Sequence, residues 1–310
     1  MRTDAGRNLA FGAVAWIATI VIATSWQLAT RFGVTTTLAP IDLAVLRYVI
    51  PTIGLLPILL RHGIVPKGQP LWITLLIVVG GGLPFGLLGM AGAQYAPANH
   101  MGALLPGSMP VFVAALSAKF LGETFGRTRL LGLTAIVLGV GCIAGAAVVG
   151  SVGGRNVLIG DALFITAGVF WAVYTVVYKK SGLDPWHGAA LICFWSSVLV
   201  VPIWLFSPHA MLLSAPIADI ALQVAAQGIL AGLLGLAAYG VAIRHLGASL
   251  AAASGAVVPA LTALGSFFLL SEPLSWLTGL GIACVAIGIW AYSGALGLPR
   301  SWSGHRGVGR

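Results

Sequence analysis

Between residues 8 and 297 the chain passes through ten apolar stretches of about twenty residues or more, with little between them. A helix needs about 20 apolar residues to cross hydrocarbon. There, every backbone amide must find its partner within its own helix or in a closed barrel. These stretches are much longer than barrel strands and do not alternate apolar with polar residues, so they are read as helices. The predicted spans are roughly 8–30, 40–60, 70–94, 98–121, 128–149, 157–179, 185–206, 217–243, 248–270 and 276–297. The loops between them are too short for a soluble domain. Charged residues make up 7% of the chain, against roughly 25% in a soluble domain. The expected fold class is an all-α integral membrane protein with ten transmembrane helices.

Arg2 and Arg7 precede the first stretch as they would in a signal peptide. That stretch exceeds an h-region of about 7–15 residues and no small-x-small cleavage site follows, so it is read as a membrane helix. Cys142, Cys193 and Cys284 all fall within spans without metal-ligand spacing and are read as small packing residues. The net charge of +9 is distributed unevenly. With the N-terminus in the cytoplasm, only Arg31 and Arg155 face outward and Arg47 lies within a span. The other thirteen of the sixteen Lys and Arg residues face inward. This positive-inside bias places both termini in the cytoplasm of a cell (inner or plasma) membrane. The basic side then meets anionic lipid headgroups, and the charge does not call for a nucleic acid partner.

The ten spans are two sets of five. Residues 86–91 read Gly-Leu-Leu-Gly-Met-Ala and residues 232–237 read Gly-Leu-Leu-Gly-Leu-Ala. Pro110 precedes Glu123 by thirteen residues, and Pro259 precedes Glu272 by the same thirteen. Trp26 aligns with Trp171 and Pro40 with Pro185 at an offset of 145; Gly132 aligns with Gly281 and Gly139 with Gly288 at 149. The halves are residues 8–149 and 157–297, and the Gly- and Arg-bearing tail at 298–310 is expected to be disordered in the cytoplasm. Five is odd, so the second half enters the membrane upside down. Inner Lys119, Arg127 and Arg129 accordingly have the uncharged outer counterparts Phe268, Trp276 and Thr278. In such inverted repeats, exchanging conformations between the halves turns a midplane site from one side to the other.

The five-plus-five spans, short loops, basic inner ends and twice-repeated Pro-x12-Glu helix ends resemble the EamA-like family of the drug/metabolite transporter superfamily, over about residues 8–297. The resemblance implies secondary transport of small metabolites, often amino-acid export, through a cavity lined mainly by spans 1, 3, 4, 6, 8 and 9. The substrate is then a small molecule. A passive channel or facilitator for small polar solutes is the alternative, though so few charges disfavour ion conduction.

Arg47 lies roughly 10 Å along span 2 from Pro40, at 1.5 Å per residue. A charge at that depth costs several kcal/mol unless it snorkels, pairs or faces water. A cavity-facing guanidinium suits a carboxylate; snorkelling outward, or pairing with Asp42, are the alternatives. Its repeat counterpart is Ile192. Trp26 and Trp171 form a symmetric pair that either walls the cavity or packs as ordinary aromatics, with Gln27 and Tyr174 close by. His100 opens span 4 beside Asn99, with Ser249 as its counterpart. Its imidazole can carry a coupling proton, or the two residues can cap the helix. Tyr95 closes span 3, and Tyr239 follows the second Gly-Leu-Leu-Gly motif. Glu123 and Glu272 are read as structural residues near the span ends rather than buried, and no carboxylate lies mid-span. Trp72, Trp186, Trp204 and Trp276 sit at span ends as an interfacial belt. Gly80, Gly81 and Gly82 before Pro84 mark a bending point in span 3. No P-loop, HExxH or zinc pattern occurs, nor a converging serine–histidine–carboxylate set. An ATP-driven pump and a membrane hydrolase are therefore disfavoured, and no cofactor or metal is expected.

Overall fold

The apolar runs form helices, and the computed structural model has no other regular structure among the described residues. It describes residues 2–66, 68–149, 154–246 and 254–294, with backbone only at 2–9, 121, 179, 180, 236, 237, 240, 243 and 244. The tail expected at 298–310, Ser249 and the side chains of several inner basic residues (Arg2, Arg7, Lys67, Lys179, Lys180, Arg244 and those of the tail) lie outside the described residues.

In chain order the helices are α1 (Arg2–Thr36), α2 (Pro40–Gly54), α3 (Leu56–His62), α4 (Leu71–Gly81), α5 (Leu83–Tyr95), α6 (Ala98–Leu121) and α7 (Arg127–Val148). Then come α8 (Arg155–Ser181), α9 (Pro185–Leu205), α10 (Ile217–Gln223), a π-helical stretch π1 (Val224–Leu234), α11 (Gly235–Leu246), α12 (Ser254–Leu269) and α13 (Trp276–Ser293). Eight helical runs are long and apolar enough to cross a membrane, or nine if α2 and α3, bent by 61°, form one span. Helix α12 is apolar but has only 16 described residues, because the predicted span 248–270 is described from Ser254 onward.

Local sequence explains the helix ends. Pro185 occupies the first turn of α9, where its missing N–H costs nothing. The Asp184 carboxylate accepts from the amides of Trp186 and His187. At the other end of helices, Gly122, Gly182 and Gly294 adopt positive φ as C-caps. The expected bend in span 3 is a break at Gly82 between α4 and α5. A Cβ there would collide with the carbonyl oxygen of Val78 and with Ser196 Oγ. The freed backbone groups are satisfied by side chains: Tyr48 Oη donates to Gly82 O at 2.7 Å, and Ser196 Oγ accepts from Leu83 N at 3.0 Å. That is how an interrupted helix survives in hydrocarbon.

Two groups of helices make the body. Helices α4, α5 and α6 pack on α8, while α1 packs on π1, α11 and α12. Helix α2 joins α9 to π1, and α7 crosses α13 antiparallel through Gly132 against Gly288 and Gly139 against Gly281. The largest buried cluster lies between the two groups and under the α7–α13 pair, around Trp26, Phe85, Leu104, Phe164 and Val285. Large apolar side chains such as Leu60, Leu131, Phe268 and Ile287 point outward, as lipid-facing positions must. One face of the bundle carries Thr36, the end of α5 and the start of α6; the other carries His62 and the end of α6.

Candidate functional site

Arg47 projects from α2 onto the side of α1. Its guanidinium carbon stands 4.5 Å from the centroid of the Trp26 ring. Its Nη1 is buried without a hydrogen-bond partner among the described residues. The expected alternative partner, Asp42, is otherwise engaged: its carboxylate accepts from Ala39 N, Met211 N and the Trp204 indole at 2.7–2.9 Å. Arg47 therefore does not pair with Asp42, and the ion pairs among the described residues do not include it. Trp204 is likewise fixed to Asp42 rather than free in an interfacial belt, whereas Trp72, Trp186 and Trp276 remain exposed. Stacking on an aromatic ring returns about 2 kcal/mol or more once the pair is desolvated, which offsets much of the roughly 3 kcal/mol an arginine costs at mid-bilayer on the gentlest scale. The Tyr48 phenol, next to Arg47 on α2, also interacts with the guanidinium, so Nη1 is the part of the group left for another partner.

Trp26 is held in its turn. Its indole donates to Gln227 Oε1 at 2.8 Å. Gln227 Nε2 donates to Thr30 Oγ1 at 2.9 Å and to Gln223 Oε1 at 3.2 Å. Gln223 Nε2 donates to Ala29 O at 2.6 Å. Gln223 and Gln227 are four residues apart where α10 runs into π1, and both are fully buried. A π-helical stretch inside a longer helix often marks a working part of a protein.

From Trp26 a run of rings crosses the molecule. Trp26 lies 6.4 Å from Phe85, Phe85 4.8 Å from Trp171, Trp171 5.0 Å from Tyr174, and Tyr174 5.3 Å from Tyr178. Trp26 and Trp171 are therefore brought together through a single intervening ring. Tyr239 on α11 comes close enough to Tyr174 for their phenols to interact, and remains partly exposed.

The remaining expected residues do not join this cluster. Gln27 accepts from Thr262 Oγ1 at 2.7 Å and is buried between α1 and α12. Tyr95 is exposed on the Thr36 face, in the wall of a crevice of about 970 Å³ that also touches Thr37, Gln94 and His209. His100 is fully buried and neither caps its helix nor faces solvent. Its Nδ1 lies 2.8 Å from Asp161 Oδ1, joining α6 to α8. His100 Nε2 and Asp161 Oδ2 have no partner among the described residues.

Glu272 departs from its expected place near the surface. It is 8% exposed. Its Oε1 accepts from Arg31 Nε at 2.6 Å, and its Oε2 from Ala98 N at 2.8 Å and from Ser266 Oγ. Arg31 Nη1 donates to the carbonyls of Ala93 and Gln94 at 2.6 and 3.2 Å. The burial follows from tertiary packing: the turn after α12 folds over the start of α6, whose first amide needs an acceptor.

Sequence reasoning missed Phe85, Gln223, Gln227, Asp161 and the Arg31–Glu272 pair. The two glutamines were detectable as isolated polar residues, four apart, inside an apolar window. Phe85 carries no such mark.

The family model for the EamA-like transporter family matches residues 10–145 and again residues 158–294. A Bacillus subtilis (strain 168) protein described as the uncharacterized transporter YyaM is 25% identical over 219 residues, 70% of this chain and 71% of its own length. A solved crystal structure described only as that of a protein superposes with a TM-score of 0.64 at 19% identity, over 94% of this chain and 99% of its own; it shows the fold alone. Two family matches spanning nearly all the apolar helices make this a multi-pass membrane transporter rather than an enzyme. The chain belongs to the EamA-like transporter family, within the drug/metabolite transporter superfamily.

Proposed function

We propose that this protein is a secondary active transporter that exports small metabolites, amino acids among them, by alternating access. In this reading it has ten spans as two inverted repeats, residues 8–149 and 157–297. It sits in the cell membrane with both termini cytoplasmic and the Thr36 face outward. The antiparallel crossing of α7 and α13 supports the inversion. Gly132 and Gly281 are repeat counterparts, as are Gly139 and Gly288, and the contacts run crosswise, 132 to 288 and 139 to 281. Such exchange is the mark of a local two-fold axis. The turns after α6 and α12 also match: Glu123 N donates to Ser117 O and Glu272 N to Ser266 O, at 3.3 and 3.1 Å.

The observation that carries the substrate reading is Arg47, which has an unsatisfied buried Nη1 and is poised over Trp26. A substrate carboxylate completes it with a charge-assisted hydrogen bond. Phe85, Trp171 and Tyr174 then offer an apolar wall, and Gln227 sets the plane of Trp26. His100 with Asp161 is the candidate carrier of a coupling proton.

The test is counterflow in vesicles of the purified protein loaded with unlabelled amino acids. Saturable uptake of labelled substrate that accelerates with internal substrate is expected. Arg47→Gln should abolish it for carboxylate substrates while the variant still inserts and folds. Saturation-free flux without counterflow would turn the reading to a passive facilitator.

A further inference from the structure

Alternating access needs a barrier that opens at one face as another closes. The helix packing locates the seam where one can form. Helices α4, α5, α6 and α8 form one group, and α1, π1, α11 and α12 the other. The groups meet where α6 packs on α12 and α1 packs on α5. At the Thr36 face this seam is crossed, among the described residues, by a part-buried ionic network. Arg31 and Glu272 come from one group. The carbonyls of Ala93 and Gln94 and the amide of Ala98 come from the other. Every hydrogen bond to those three backbone groups must break if the groups part there. Lower in the seam, Gly102 lies against Thr262 without room for a side chain, so closure is also steric.

We propose that Arg31 and Glu272 are the gate of the Thr36 face, a proposal that rests on the alternating-access reading. Arg31 holds the carbonyl end of α5, where negative partial charge gathers. Glu272 holds the amide end of α6, where positive partial charge gathers. The two side chains also hold each other at 2.6 Å. Each helix end thus receives the charge it favours, from residues that sit on the opposite group. The gate is not duplicated in full. Glu272 has Glu123 as its repeat counterpart, but the position matching Arg31 is Val176.

The test measures distances by pulsed electron resonance, on the full chain in lipid nanodiscs with its three cysteines replaced. One label pair, Ile159→Cys with Leu269→Cys, spans the seam at the Thr36 face. A second, Phe11→Cys with Phe120→Cys, spans it at the His62 face; all four sites are exposed. Arg31→Gln and Glu272→Gln should each raise the ratio of long to short distances at the Thr36 face about tenfold or more, since charged hydrogen bonds are lost. The distance at the His62 face should shorten in step. Arg31→Lys should lie between Arg31→Gln and the parent. If Glu272→Gln does not fold, Arg31→Gln decides alone, because it leaves Glu272 bonded to Ala98 and Ser266. If the parent shows two distances and neither variant shifts them, the gate is overturned and the carrier reading stands. If parent and variants show one unchanging distance at both faces, alternating access fails and the gate with it.

Discussion

Trp26 shows how one side chain becomes a component of a site. Its ring receives the Arg47 guanidinium on its face, and its N–H is anchored to Gln227. Removing that acceptor without shrinking the side chain isolates the anchor. Gln227→Leu should therefore cost about 1–3 kcal/mol, the penalty for stranding a buried donor. It should also weaken substrate binding by loosening Trp26. Thermal unfolding in detergent with and without substrate checks both effects. The His100–Asp161 pair calls for a different measurement. Breaking a buried pair by removing one partner costs about 3–5 kcal/mol, so a truncation confuses stability with coupling. Asp161→Asn keeps the shape and a hydrogen-bonding group. If the pair carries the coupling proton, this variant should lose transport driven by an imposed pH gradient while keeping counterflow; a gradient response equal to that of the parent removes the pair from coupling. Arg47, Trp26 and His100 were visible in the sequence because charged, indole and imidazole groups are costly or distinctive in an apolar run. Their partners Gln227, Phe85 and Asp161 were not, because nothing local in the chain says which side chain lies opposite.

At the scale of elements, the glycines of α7 do different jobs that spacing alone cannot separate. Gly139 has the Gly281 carbonyl oxygen 2.6 Å from the place its Cβ would occupy, whereas Gly141 has nothing within 4 Å. Gly139→Val should force α7 and α13 apart, at a typical overpacking cost of about 1–3 kcal/mol. Gly141→Val should change stability little. Equal thermal midpoints for the two variants would remove the close crossing as a source of stability. The same distinction applies to span 3 and span 8. The glycine run and Pro84 announced the break between α4 and α5. No such mark announced π1, since glycine and alanine in an apolar run serve an α-helix as well as a π-helix.

For the whole molecule, the charge bias and the paired contacts lead to one topological expectation. In a cysteine-free background, His209→Cys should react with an impermeant maleimide in intact cells, and Gln69→Cys only after the membrane is opened. Both residues lie in segments outside the candidate spans, so a reversed pattern would turn the proposed orientation over. The sequence alone was enough to determine the solvent, the helical class, the duplication and the family resemblance. Each depends on composition, run length or recurring motifs, which are properties of the chain in one dimension. Only the tertiary structure decided that Trp26 meets Gln227 across 201 residues and that Arg31 meets Glu272 across 241. Those meetings depend on the rotation and depth at which one apolar helix packs on another. Hydrophobic runs that are apolar all round do not encode either quantity. The same packing left Arg47 over an aromatic face with one nitrogen unsatisfied, and that arrangement separates a candidate binding site from a buried charge.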